Sequence, residues 1–509
     1  MPSTRNLAQA ALAGAAVACL TAPPAAAASA GTAPGVHAGS PPAGLNAAPG
    51  QGAEALTWRP CATTAKDWPA PEDTKSECAL VTVPMDYAKP DGRKIKIAVS
   101  RLKAADPAKR RGVLVISPGG PGISNITAPS SYAANGLAPL ATDHDLIGFD
   151  PRGVGYSDRI DCDEGAFEPP AGASAKAQAK ALFDHMAAAN KRCTALDPAF
   201  ARQLTTRNIA RDVDTIRAAL GETKISFYGV SYGTAVGLNY RSLFDTRVER
   251  MWLDSVMPPV MDLAAMDAAV NAVAERNFDG FVTWLAGHDP EYHFGATPQQ
   301  AREAVFALRD KLTRKPRPAG KGARLDGEWV RSLLGLDATG WATAARDLAT
   351  ARDGGVPRSA RPSSGTAPVY GFDDAPLGLN STQYNGVFCN EGTGGRDFGR
   401  LWADAEARRR TYPATGGGIQ FGSWCAGWPW PAQPWRPVRG ASPLQVSGHV
   451  DEATTPYAWA VDTVKAAGGA LLTVQDDAHA SLAKLPCADK AVAFFRTGRT
   501  ATGTCPGMQ

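Results

Sequence analysis

Apolar positions along the chain follow two periods that alternate. Residues 80–102 (LVTVPMDYAKPDGRKIKIAVSRL) read as two strands joined by a turn at Pro90-Asp91-Gly92. Gly112–Ser117 (GVLVIS) and Asp145–Phe149 (DLIGF) are short apolar runs, each ahead of a glycine-containing loop. Ile209, Val213, Ile216 and Leu220 then recur at helical spacing before Gly221, predicting a helix with one buried stripe and a glycine stop. Ile225–Gly229 reads as a strand, Tyr232–Tyr240 as a helix and Arg250–Asp254 as a strand. Leu444–Gly448 and Ala470–Val474 supply two more strands near the C-terminus. Strands alternating with helices predict an α/β fold, with a mostly parallel sheet covered by helices on both faces.

Residues 259–440 break this rhythm. Met261–Leu285 and Pro298–Leu312 read as helices, and the remainder is rich in Gly, Pro and Trp. A segment of that size between two sheet strands predicts a large inserted cap. Most of its Trp residues are expected in its core. The core fold is accordingly expected in two parts, 55–258 and 441–509.

The N-terminus changes the picture. Arg5 is the only charge in residues 1–30, Leu7–Leu20 is apolar, and small residues follow to Ala30. That pattern predicts a secretory signal peptide over 1–30. Residues 31–54 are Gly, Ala, Pro and Ser with almost no large apolar side chain, and predict a linker or pro-segment. No later apolar run approaches the roughly 20 residues that span a bilayer, so no membrane segment is expected after signal removal. Of nine Cys, Cys19 falls in the predicted signal. The other eight predict disulfides in an exported chain, neighbours pairing as 61–78, 162–193, 389–425 and 487–505. No CxxC or HxxxH spacing supports a metal site. The net charge of +4 over 509 residues argues against a nucleic-acid partner. A secreted monomer needing no cofactor is expected.

Candidate chemistry begins at Gly229-Val230-Ser231-Tyr232-Gly233, a G-x-S-x-G between a strand and a helix. A sharp turn there exposes the Ser231 hydroxyl at a helix N-terminus. Small residues are needed at 229 and 233 because side chains would strike neighbouring backbone. Ser117-Pro118-Gly119-Gly120-Pro121-Gly122 lets backbone approach a ligand. Its N–H groups, Gly120 first and Gly119 second, are candidates to form an oxyanion hole with that of Tyr232. A hydroxyl needs a base. His479 lies in a loop after the last predicted strand, and Asp451 follows the strand before it. The order Ser231, Asp451, His479 is that of a nucleophile–acid–histidine hydrolase. Asp476 and Asp477, near neighbours of His479, are rivals to Asp451 but read as solvated loop acids.

The set PGGPG, Phe149–Asp158 (FDPRGVGYSD), GVSYGT, VDEATTP and DDAH resembles the α/β-hydrolase family of secreted tripeptidyl aminopeptidases, relatives of the proline iminopeptidases. The resemblance runs from about Cys61 to Cys505. It implies the α/β-hydrolase fold, a triad of Ser231, Asp451 and His479, and oxyanion donors at Gly120 and Tyr232. Asp150 and Arg152 match a loop that is structural. The resemblance further implies acids near Cys389 that hold the substrate's free amine, which makes Glu391 a candidate and Asp373 and Asp374 weaker ones. Pro118 stands where proline iminopeptidases carry His, so a preference for proline is not implied. The expected activity is a serine exopeptidase releasing short peptides, tripeptides by the resemblance, from free N-termini. An esterase or lipid hydrolase with the same triad is the alternative.

Overall fold

A computed structural model describes residues 56–508 except 66–67, 69, 71, 166, 168–169, 171–172, 321–323, 361–377 and 417–420. The predicted signal peptide, the linker, Asp373 and Asp374 lie outside the described residues.

One ten-stranded sheet organises the chain. Its strands are β1 (Arg59–Pro60), β2 (Glu77–Pro84), β3 (Lys94–Leu102), β4 (Val113–Ser117), β5 (Asp145–Phe149), β6 (Ile225–Ser231), β7 (Val248–Val256), β8 (Leu444–His449), β9 (Ala470–Gln475) and β10 (Gly503–Pro506). They lie in the order β1-β2-β3-β5-β4-β6-β7-β8-β9-β10. The pairs from β1 to β5 are antiparallel and all the rest are parallel. The predicted strands stand as expected. The short edge strands β1 and β10 were not predicted, because each is too brief to show a period.

Alternation along the central strands feeds two cores. Val113, Val115 and Phe227 face one cluster, while Leu114, Ile116, Tyr228 and Trp252 face the other. With both faces buried, these strands read as continuous apolar runs. The longer helices are α1 (Ala175–Leu196), α2 (Thr206–Ala219), α3 (Tyr232–Phe244), α4 (Leu263–Gly287), α5 (Pro298–Arg314), α6 (Ala338–Arg352), α7 (Ser381–Glu391), α8 (Phe398–Thr411), α9 (Tyr457–Ala467) and α10 (Ala488–Thr497). The α2 stripe of Ile209, Val213 and Ile216 is buried, and the Thr205 side chain accepts from Asn208 N at its start. On the other face, Phe494 and Phe495 of α10 pack with Trp252 and Tyr228.

Helices α4 to α8 form an insertion between β7 and β8, in which α4, α5 and α6 share a separate core including Phe278, Phe281, Leu285, Val305, Leu308 and Leu348, while Val387 and Phe388 of α7 join the core on the sheet. The four cysteine pairs are those expected: Cys61–Cys78, Cys162–Cys193, Cys389–Cys425 and Cys487–Cys505. Each closes a loop of a size that contributes on the order of 3 kcal/mol in the chain-entropy account.

Candidate active site

The strand-to-helix turn between β6 and α3 holds Ser231 at φ 54°, ψ −129°, a strained conformation for a residue with a side chain. The flanking glycines show what permits it. A Cβ on Gly233 would lie 1.9 Å from Ser117 O, and one on Gly229 would lie 2.8 Å from Gly233 O. Ser231 itself stays partly exposed while the helix behind it is buried. The Thr234 hydroxyl donates to Ser231 O at 2.6 Å and accepts from Met257 N at 2.9 Å, bracing the turn against the chain after β7.

The loop after β4 presses on this turn. Gly119 (φ +117°) comes so close that a Cβ would sit 2.8 Å from Val230 O, 3.0 Å from Ser231 Cβ and 3.2 Å from Tyr232 N. Gly120 also has a positive φ, +109°. Asn125 holds the loop's shape, its Nδ2 donating to Gly119 O at 3.3 Å and Ile123 O at 2.9 Å. Asp150 organises the same region. Its Oδ1 accepts from Ser124 Oγ and Asn125 N, and its Oδ2 accepts from Tyr156 N. Burial pushes the Asp150 carboxyl up to about 6 against those hydrogen bonds. Arg152 is fully enclosed and paired with Asp212 at 2.7 Å. Both residues therefore brace the scaffold. Tyr232 turns its ring inward, with its hydroxyl 3.0 Å from Thr206 Oγ1, and only its backbone faces the glycine loop.

His479 lies in the loop after β9, its side chain 17% exposed. Its Nδ1 meets a carboxylate oxygen at 2.5 Å, but the carboxylate is that of Glu452. Asp451, the acid expected here, is exposed and contributes backbone instead: its N donates to Asp476 O at 3.1 Å and its O accepts from Asn277 Nδ2 at 2.9 Å. The turn after β8 points residue 451 to solvent and 452 inward. Glu452 is 0% exposed and fully partnered. Its Oε1 also accepts from Thr455 N at 3.0 Å and Thr455 Oγ1 at 2.5 Å, and its Oε2 accepts from Ser255 Oγ at 2.9 Å. Ser255 (φ 50°) accepts in turn from Ala480 N at 2.9 Å, so one hydroxyl joins the acid to the histidine loop. The only signal for Glu452 in the sequence is Thr455 three places on, a spacing at which an acid accepts from the backbone it precedes.

Glu391 is not placed to meet a substrate amine. It is 2% exposed, and its oxygens accept from Thr206 N at 2.9 Å and Arg207 N at 3.1 Å, capping the start of α2. Burial pushes its carboxyl up to about 6. Asp476 and Asp477 are not solvated acids either. Asp476 is buried against His449, and Asp477 Oδ2 accepts from Ala338 N at the start of α6. Burial raises the Asp477 carboxyl to about 6, with Asp337 and Asp476 adding repulsion.

The insertion touches the glycine loop, the turn after β8 and the loop after β9. Asn380 N donates to Gly122 O at 2.7 Å, Asn277 holds Asp451 O, and Ala338 N holds Asp477.

A family model described as alpha/beta hydrolase fold matches residues 112–333, and one described as TAP-like protein matches residues 416–505. The chain is 31% identical over 479 residues to a tripeptidyl aminopeptidase of Streptomyces lividans, covering 87% of this chain and 85% of that protein. It belongs to the tripeptidyl aminopeptidase family of α/β-hydrolases. As a member of that family it is a serine hydrolase and a serine peptidase, as expected from its motifs. Serine protease Hip1 of Mycobacterium tuberculosis is 30% identical over 270 residues, 52% of this chain and 51% of that protein. A Mycobacterium tuberculosis protein named carboxylesterase B is 28% identical over 493 residues, 91% of this chain and 93% of that one.

Proposed function

We propose that the protein is a secreted exopeptidase that releases short peptides, tripeptides as in the Streptomyces relative, from free N-termini through an acyl-enzyme on Ser231. The observation that carries this is the Glu452–His479 pair, taken together with a strained serine turn pressed by Gly119. With Nδ1 committed to Glu452, Nε2 is the nitrogen left to act on the serine. Ser231 Oγ attacks the scissile carbonyl carbon and His479 Nε2 takes its proton. The oxygen that becomes negative is received by the Tyr232 N–H and an N–H of Gly119-Gly120. His479 then protonates the leaving amine, and a water activated by the same ring releases the acyl group as a free peptide.

Three contacts between the insertion and the surrounding loops support access limited to chain ends, since a folded substrate would have to separate them. The four disulfides support an oxidising, extracellular setting. Glu391 has no part in this proposal, and amine recognition falls to other groups.

The test compares unblocked and N-acetylated tripeptide anilides with product masses from longer unblocked peptides. Release of tripeptides only from unblocked substrates is expected. Equal rates on blocked and unblocked anilides would overturn the exopeptidase reading. The likeness to carboxylesterase B favours ester hydrolysis as a second reading, which turnover of acyl esters but no peptide would establish.

A further inference from the structure

Beneath the His479 loop lies a second histidine that the mechanism above does not use. His449, the last residue of β8, is 0% exposed and sits between two carboxylates. Its Nδ1 is 2.6 Å from Asp476 Oδ1 and its Nε2 is 3.0 Å from Asp254 Oδ1. Asp254 belongs to β7, and Asp476 directly follows β9. The three side chains therefore join the C-terminal ends of three adjacent parallel strands. Ser481 Oγ donates to Asp476 Oδ2 at 2.7 Å and lies 3.2 Å from His449 Nδ1. Met508 N donates to Asp476 Oδ2 at 3.0 Å. Ser447 Oγ donates to Asp254 Oδ1 at 2.6 Å and accepts from Trp252 Nε1 at 2.9 Å.

We propose that His449 is a positioning residue, which bridges Asp254 and Asp476 and so fixes both ends of the loop that presents His479. Asp476 and Ser481 flank that histidine in the chain, and both belong to the His449 cluster. Ala480, between His479 and Ser481, is held at φ 58° by the Ser255 bond that also reaches Glu452. A shift of Asp476 or Ser481 therefore moves the imidazole relative to both its acid and Ser231. Buried polar groups are costly to leave unpaired, which makes the cluster rigid when complete.

Both ring nitrogens face a carboxylate oxygen, an arrangement that favours the doubly protonated ring. Burial opposes that charge, but Asp254 and Asp476 outweigh it and hold His449 well above the ordinary histidine range. Burial also opposes the Asp476 charge, and His449 outweighs it to hold that carboxyl low. The charged groups facing the ring are Asp254 from β7, Asp476 from the β9 loop and Glu452 from the turn after β8. Burial, with the Asp254 carboxylate beside them, holds the hydroxyls of Tyr228 of β6 and Tyr132 above the ordinary tyrosine range.

This inference rests on Ser231, Glu452 and His479 being the triad. Steady-state kinetics of the full-length protein on an unblocked tripeptide anilide test it. His449→Gln is expected to lower kcat by about tenfold or more with KM within about twofold, because small misplacements of a base act on the chemical step. It should also change the pH profile of kcat/KM, since it leaves Asp254 and Asp476 without the ring between them beside the His479 loop. Ser481→Ala, a smaller change that lowers Tm by less, should lower kcat in the same direction, and it decides the matter if His449→Gln does not fold. A lowered Tm with wild-type kcat and pH profile would make the cluster merely structural and overturn the inference. A Ser231→Ala control separates the two failures: activity surviving there defeats the triad itself, whereas its loss beside a fully active His449→Gln defeats only the positioning role.

Discussion

Glu452 accepts a 2.5 Å hydrogen bond from Nδ1 of His479, 27 residues further along the chain. The acid stands at the end of one strand and the imidazole after the next, so the parallel pairing of β8 with β9 is what brings them together.

Replacing Glu452 by Gln removes the charge that holds the ring's tautomer. A drop in kcat of about 10³–10⁴ is expected, while Asp451→Asn should stay within about twofold of wild type. Steady-state kinetics of the two variants side by side check this, and the reverse result would restore Asp451 as the acid.

Gly119 has no room for a side chain. Gly119→Ala would push a methyl to 2.8 Å from Val230 O and 3.0 Å from Ser231 Cβ at φ +117°. The loop must retreat from the Ser231 turn, and kcat is expected to fall about 10²–10³-fold, as for loss of one oxyanion donor. Labelling of the serine by a fluorophosphonate should slow in step. Undiminished labelling would place the oxyanion donors elsewhere.

Glu391 gives a pH signature. Its folded pKa, about 6, lies above the ordinary 4.5, because burial disfavours the charge. The folded state therefore holds the proton more tightly between those values, and stability falls as pH rises from 4.5 to 6. The loss is about 2 kcal/mol at one site. Denaturant titrations of Glu391→Gln should lack that slope, with peptidase activity retained. An unchanged slope together with lost activity would return Glu391 to substrate binding.

Asp477 ties the His479 loop to α6 through Ala338 N at 2.7 Å. Asp477→Asn weakens a charge-assisted bond, so the first amides of α6 should exchange hydrogen faster above pH 6, where the wild-type carboxylate is ionised. Below pH 6 the difference from wild type should shrink. Identical exchange at pH 7 would show that the contact does not hold the insertion closed.

The strand–helix alternation, the serine turn with its two glycines and the four cysteine pairs were legible in local spacing. Each depends on neighbours in sequence: a period, a tight turn, a short covalent loop. Asp451 and Glu452 are adjacent acids, and order along the chain cannot choose between them. A one-residue step reverses which side of a turn faces inward, and only the packing of Ser255 and Thr455 around one carboxylate decides it. The same holds for Glu391, which the resemblance made a candidate amine ligand and which in the fold accepts from the N-terminus of α2. The sequence by itself determined the fold class and the nucleophile turn, because hydrophobic period and backbone sterics are local. Tertiary structure alone decided which carboxylate serves His479 and which acids are buried, because those depend on desolvation and hydrogen-bond partners contributed from distant strands.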